Sequence, residues 1–325
     1  MAASRKPSRS SSRAKRTVPR GNPARVRTTP VAPPKPVRFG DWVGAARLRT
    51  LPLAVSPVVA GTGAALVVDD RFHWVLALAC LVVAVSLQIA VNFANDYSDG
   101  IRGTDDHRVG PARLTASGRV SPRAVLIAAL LFFGIAAVAG LAIVIRTQHW
   151  WMLAVGAACI VAAWFYTGGK RPYGYAGLGE LFVFVFFGLV ATTGTTFVQA
   201  GVVPWESWLA AVGVGLLACA VLVTNNLRDI DQDRRVGKRT LTVLIGKRAS
   251  QVLFTVFALA PFVLAGVIAL LYPIAWLSLL ALLAALSATL IVWTYRAPRE
   301  LLVALALTSL TSLAYAGVLA WAFVG

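Results

Sequence analysis

Hydrophobic residues in this chain run together in long blocks. They neither alternate with a period of two nor keep to one face of a helix. Nine apolar stretches, at about 51–68, 74–94, 123–145, 149–166, 180–200, 207–227, 250–271, 273–293 and 301–323, are separated by short polar segments. A helix needs roughly 20 apolar residues to cross about 30 Å of hydrocarbon, and the blocks have that length. In lipid the backbone must satisfy its own N–H and C=O groups, so blocks without alternation predict helices. The first block is short, and the pattern extends it backwards through Trp42 to Leu48. A tight turn near Arg146 divides the third from the fourth. The expected fold is all-α and polytopic, with nine transmembrane helices in a domain covering residues 41–325.

Residues 1–40 differ in kind. They are rich in Ser, Arg, Lys and Pro and hold few large apolar side chains. Such a segment cannot offset its ordering entropy by burial, so a disordered basic tail is expected, lying near anionic lipid. No signal peptide is expected, because the first apolar block begins beyond residue 50. Composition agrees with a lipid solvent, at 58% hydrophobic and 14% charged residues. The net charge of +18 raises nucleic acid as a partner. Its distribution excludes that reading, which needs a basic face on a soluble fold. Of 31 Lys and Arg, 29 fall in the N-terminal segment or after blocks two, four, six and eight; only Arg71 and Arg146 lie on the other side. The positive-inside rule then predicts a cytoplasmic N-terminus and an odd number of spans. Cys80, Cys159 and Cys219 sit in separate apolar blocks without a CxxC pair, and read as small core residues.

The acids are as lopsided as the bases. Of 13 Asp and Glu, four follow block two and three follow block six. The first cluster runs from Asn92 through Asn95, Asp96, Tyr97 and Asp99 to Asp105 and Asp106; the second holds Asn225, Asn226, Arg228, Asp229, Asp231, Asp233 and Lys238. If block two stays helical, Asn92, Asn95, Asp96 and Asp99 share one face, and Asp229 and Asp233 share another. Like charges at this spacing repel by a few tenths of a kcal/mol per pair. A bridging divalent cation reverses that sign, and oxygen-only donors suit Mg2+ shared with phosphate. The plain alternative is solvated loop acids neutralised by neighbouring bases. Two clusters in matching positions four spans apart, with a hint of an internally duplicated four-helix unit, argue against it. Bases interleave with the acids at Arg102, Arg108, Arg113, Arg228, Lys238 and Arg239, and the segment after block four adds Lys170 and Arg171. Carboxylates for metal beside cations for oxyanions describe a diphosphate site.

The two clusters resemble the paired Asp-rich motifs of the UbiA superfamily of intramembrane prenyltransferases. Asn95, Asp96 and Asp99 match its first motif, whose third acid would fall at Gly103. The chain is most similar to the branch acting on 1,4-dihydroxy-2-naphthoate, through Gly103, Asp105, Arg108, Gly110, Pro111 and Arg113. The second motif is met by Asn225, Asn226, Arg228, Asp229, Asp233, Gly237, Lys238, Thr240 and Leu241. Tyr166 to Glu180 and Arg49-Thr50-Leu51-Pro52 also resemble that branch. The resemblance spans residues 42–323.

It implies a helical bundle with a central cavity open to the cytoplasm of a bacterial plasma-membrane protein. It also implies Mg2+-dependent transfer of a polyprenyl group from polyprenyl diphosphate to 1,4-dihydroxy-2-naphthoate. The acceptor carboxylate would leave as CO2, giving demethylmenaquinone for menaquinone biosynthesis. Asn95, Asp96, Asp99, Asp105, Asp229 and Asp233 are the expected metal ligands. Asp99, Asp233 and Lys238 are the expected catalytic residues. Asn92, Lys170, Arg171, Arg228 and Lys238 are expected at the substrates, with Arg49 anchoring the acceptor carboxylate. Tyr97 and Asp231 are the candidates for a base, and Phe182, Phe184, Phe186 and Phe187 for the cavity wall. Another family member would take a different acceptor, such as 4-hydroxybenzoate, haem or a chlorophyllide; the naphthoate-type spacing argues against it. A transporter would carry ionisable residues near the span centres, which here hold none.

Overall fold

Apolar blocks without polar interruption leave the backbone only its own hydrogen bonds. In the computed structural model, which describes residues 2, 37–103 and 113–325, every regular element among the described residues is helical. In chain order these are α1 (Phe39–Ala45), α2 (Pro52–Leu66), α3 (Trp74–Ile101), α4 (Pro122–Thr147), α5 (Met152–Phe165), α6 (Gly179–Ala200), α7 (Trp205–Arg235), α8 (Leu241–Ala269), α9 (Pro273–Thr294) and α10 (Pro298–Val324). Seven of them, α3, α4 and α6 to α10, are long and apolar enough to cross a membrane. The other two apolar blocks form the shorter helices α2 and α5.

The backward extension of the first block does not occur. Arg47 takes left-handed backbone angles (φ 56°, ψ 58°), so α1 stops before it and a short turn, Leu48–Thr50, leads into Pro52 at the start of α2. A left-handed non-glycine residue is uncommon and is held only where its surroundings demand it.

Asn95, Asp96 and Asp99, and Asp229, Asp231 and Asp233, lie on helices, as their registers required. α3 runs on to Ile101 and α7 to Arg235, past the apolar part of each. Gly103 (φ 67°) and Gly237 (φ 77°) adopt the left-handed conformation that closes a helix C-terminus. After α7 the closure is a Schellman arrangement. The N–H of Lys238 donates to the Asp233 carbonyl at 2.9 Å, and that of Gly237 to the Arg234 carbonyl at 3.4 Å. The chain therefore reverses immediately and brings Lys238 to the end of α3, where it pairs with Asp99.

α7 is the most enclosed of the long helices, with 72% of its apolar window buried. Helices in lipid gain little from apolar burial against each other, so small residues that permit close approach set the contacts. Gly188 of α6 lies against Gly215 of α7, Gly213 lies under the Tyr315 ring of α10, and a Cβ at Gly63 of α2 would strike the Ala320 backbone. The Tyr315 hydroxyl, fully buried, donates to the Pro261 carbonyl of α8 at 3.1 Å. Within α6, Phe184–Val190 forms a π-helical turn, a local widening that recurs at functional sites.

The α2–α10 contact yields a stability test. Gly63→Leu forces two helix backbones apart and should destabilise the protein by about 1–3 kcal/mol or more, as overpacking does. Gly134→Ala, in open space on α4, should be neutral or stabilise by up to about 1 kcal/mol. Thermal unfolding of the two variants in detergent checks both expectations.

Candidate active site

The polar ends of α3 and α7 meet. Asn95 and Asp99 from α3 line one polar cleft with Asn225, Asn226, Asp229, Gln232 and Asp233 from α7. Lys238, Arg113, Arg47 and Tyr175 complete it from the connecting segments. A larger apolar cavity of about 850 Å3 adjoins it, and Arg47, Asn95, Arg113, Tyr166 and Asn225 line both. A charged cleft thus opens onto a chamber walled by side chains such as Leu87, Val83, Phe182, Phe186 and Phe187.

Asp99 is the node of the cleft. Its Oδ1 accepts from Lys238 Nζ at 3.1 Å and from the Tyr175 hydroxyl, and its Oδ2 pairs with Arg113 at 3.4 Å. The Lys238 ammonium also lies over the Tyr175 ring, 4.6 Å from its centre. Burial, reinforced by the Asp99 charge, pushes the Tyr175 phenol well above its ordinary pKa, so it stays a donor to Asp99. On α7, Arg228 grips Asp229 with both arms of its guanidinium, at 2.8 and 2.6 Å. Buried charges are tolerated only when paired in this way. Asp99, Asp229 and Asp233 offer hard carboxylate oxygens, the donor chemistry of Mg2+. Among the described residues no three acidic, His or Cys side chains form a closed metal cage, and a hard cation shared with phosphate and water does not need one.

Several expected site residues lie elsewhere. Asp96 does not line the cleft; its two carboxylate oxygens accept the N–H groups of Leu114 and Thr115, each at 2.9 Å, and tie that segment to α3. Asn92 lines the apolar cavity and donates to the Ala46 carbonyl at 3.0 Å, holding the end of α1. Lys170 and Arg171 are exposed and line neither cavity, because the turn that carries them faces outward. Arg49 is exposed and touches only the apolar cavity, whereas Arg47, two residues earlier, reaches both. Tyr97 packs in a cluster with Trp42, Phe93 and Phe132, and Asp231 is exposed beside Arg234, so neither candidate base is in the cleft. Phe184 packs on Gly215 while Phe182, Phe186 and Phe187 line the cavity. Asp105, Arg108 and most of the basic tail lie outside the described residues.

Four contributors had no role assigned from the sequence. Arg47 depends on a left-handed backbone that no residue pattern announces. Tyr175 and Thr167 enter because Arg102 holds the turn between α5 and α6 by the carbonyls of Thr167 and Gly169. Gln232 lies on the Asp-bearing face of α7, one helical turn after Asp229, and that spacing was visible.

The Asp96 contacts generate a prediction. Asp96→Ala orphans two buried N–H groups and should lower stability by about 1–3 kcal/mol per group, with faster hydrogen exchange at residues 113–117. Asp69→Ala, before the opposite end of α3 and bonded only to Arg71 and His73 in the contacts seen, should change exchange there little. Hydrogen–deuterium exchange with mass spectrometry separates the two.

The model of the UbiA prenyltransferase family matches residues 54–310. A 1,4-dihydroxy-2-naphthoate octaprenyltransferase of Mycobacterium tuberculosis is 50% identical over 278 residues, 86% of this chain and 94% of that protein. The protein of the same name from Escherichia coli is 39% identical, over 65% of this chain and 70% of its own. Among solved structures, a UbiA homolog from Aeropyrum pernix shares the fold with a TM-score of 0.63 at 19% identity, over 81% of this chain and 96% of that one. A UbiA homolog from Archaeoglobus fulgidus, bound to GPP and Mg2+, also has a TM-score of 0.63, at 14% identity over 87% and 99% of the two chains.

Proposed function

We infer the reaction from one premise: the chain belongs to the UbiA prenyltransferase family. It is a membrane prenyltransferase that transfers a polyprenyl group from its diphosphate to 1,4-dihydroxy-2-naphthoate in menaquinone biosynthesis. The observation that carries the site assignment is the meeting of Asp99 and Asp233, from helices far apart in sequence, at one cleft above an apolar cavity. A diphosphate head and an isoprenoid tail need that pair of environments side by side.

All nine apolar helices cross the membrane in this reading. α2 and α5, at 15 and 14 residues, are about 22 and 21 Å long, short of the hydrocarbon thickness. The turn Leu48–Thr50 lengthens the first, and both are flanked by longer helices. The charge distribution supports a cytoplasmic N-terminus, with the cleft on the cytoplasmic side of a bacterial plasma membrane.

Asp99, Asp229 and Asp233 would hold Mg2+, which would neutralise the diphosphate and make it a better leaving group. Asp96 serves this site indirectly, by anchoring the segment that carries Arg113. Arg113, Arg228 and Lys238 exchange their carboxylate partners for diphosphate oxygens and take up the charge that develops as the allylic C–O bond breaks. Without substrate, those same cations keep the buried acids compensated. Arg47, at the junction of the cavities, receives the acceptor carboxylate and sets the ring against C1 of the donor. The carboxylate then leaves as CO2. Phe182, Phe186 and Phe187 present aromatic surface to the cation-like carbon, and the apolar walls exclude water.

Asp99→Ala and Asp233→Ala should each abolish Mg2+-dependent transfer of labelled polyprenyl diphosphate to dihydroxynaphthoate while the protein remains folded in detergent. Normal turnover by either removes the metal assignment. Arg47→Ala should raise KM for the naphthoate roughly 10- to 100-fold, the value of about 1.5–3 kcal/mol for a charged hydrogen bond, with a smaller effect on the donor. Arg49→Ala should change it far less. Steady-state kinetics with each substrate varied in turn decides between the two arginines.

A further inference from the structure

An asparagine side chain offers a carbonyl oxygen on one side and an NH2 group on the other, and its partner decides which faces a ligand. The two motifs place Asn95, Asn225 and Asn226 in the polar cleft, and Asn95 and Asn226 are held in opposite senses. Asn95 accepts from Thr167 Oγ1 at 2.6 Å through its Oδ1, which leaves its NH2 toward the cleft. Asn226 donates through Nδ2 to Glu180 Oε1 at 3.1 Å, which leaves its Oδ1 toward the cleft. Asn226 shares the face of α7 that carries Asp229 and Asp233, at i, i+3 and i+7.

Glu180 has no place in the mechanism above. It is the second residue of α6, is 5% exposed and lines neither cavity. Its Oε2 is buried without a hydrogen-bond partner, and Asn226 is the side chain that its Oε1 engages. Oε1 is the acceptor in this contact, and an accepting oxygen admits only one orientation of the amide opposite. A glutamine there would admit both.

We propose that Glu180 is a positioning residue that turns the Asn226 carbonyl oxygen into the cleft, making Asn226 the neutral oxygen ligand of the divalent cation. Asn95, expected from its sequence to bind metal, instead gives an N–H donor to a diphosphate oxygen. The inference rests on the metal–diphosphate reading above and assigns its ligands more finely.

The test uses detergent-purified full-length protein and MgCl2 in the presence of inorganic diphosphate, followed by isothermal titration calorimetry. Loss of an outer partner of a metal ligand typically weakens affinity about 10- to 100-fold, and E180Q should fall in that range. The Mg2+ concentration for half-maximal turnover should rise by the same factor, with KM for the naphthoate unchanged. N226D sets two carboxylates face to face and should also bind Mg2+ poorly. In the double variant E180Q/N226D the glutamine NH2 can donate to one oxygen of the introduced carboxylate, whose other oxygen then faces the cleft. Its Mg2+ affinity should return to within about threefold of the wild type, a non-additivity expected only of directly coupled residues. This double variant also decides the matter should E180Q alone fail to fold. Wild-type Mg2+ affinity in E180Q, or a double variant no better than N226D, overturns the inference and leaves the metal reading intact. A wild-type protein that binds no Mg2+ with diphosphate overturns both.

Discussion

The ion pair between Lys238 and Asp99 joins two parts of the chain that meet only through folding. Lys238 follows α7, Asp99 lies on α3, and their 3.1 Å contact is buried. The reach of Lys238 is set by the Schellman closure of α7, in which Gly237 takes the left-handed conformation and the chain doubles back at once. A longer or looser exit would carry the ammonium away from the cleft. The interaction also selects the stance of Tyr175, which donates to the same carboxylate and lies under the same ammonium.

Charge compensation explains how so polar a cleft persists beside an apolar chamber. An isolated buried carboxylate loses several kcal/mol of hydration, and it is stable only with a partner. Here the partners are the cations that the proposed reaction uses. Arg113 and Lys238 stand at Asp99, and Arg228 stands at Asp229. The resting site therefore neutralises itself. In the proposed reaction metal and diphosphate would enter together, the metal taking the acids and the diphosphate the bases of these pairs, without leaving a charge stranded.

Much of this was open to reading because lipid makes stringent demands. Six of the nine apolar blocks became helices within about three residues of their expected limits, α8 starts nine residues early, and the periodicity that put Asn95 with Asp99, and Asp229 with Asp233, held because α3 and α7 continue past their apolar parts. Asp96 shows where periodicity stops informing. A face shared on a helix says nothing about what else packs on it, and the amides of Leu114 and Thr115 took its carboxylate. Lys170 and Arg171 carry the right charge in the right segment, yet their turn faces outward. Arg47 reaches both the cleft and the apolar cavity while Arg49 touches only the cavity, because a left-handed kink breaks the helix that pattern alone would have drawn through both.

By itself the sequence determined the helical class, the number of apolar blocks and the two acidic registers. Each follows from short-range rules: hydrogen bonds closed within an element and side chains repeating every 3.6 residues. Tertiary structure decided which of those acids share a cleft, which cation answers each, and which way each amide turns. Those outcomes depend on contacts such as Glu180 with Asn226 and Lys238 with Asp99, whose partners are 46 and 139 residues apart. A hydrogen bond across that distance is set by how helices pack, and packing is a property of the whole bundle.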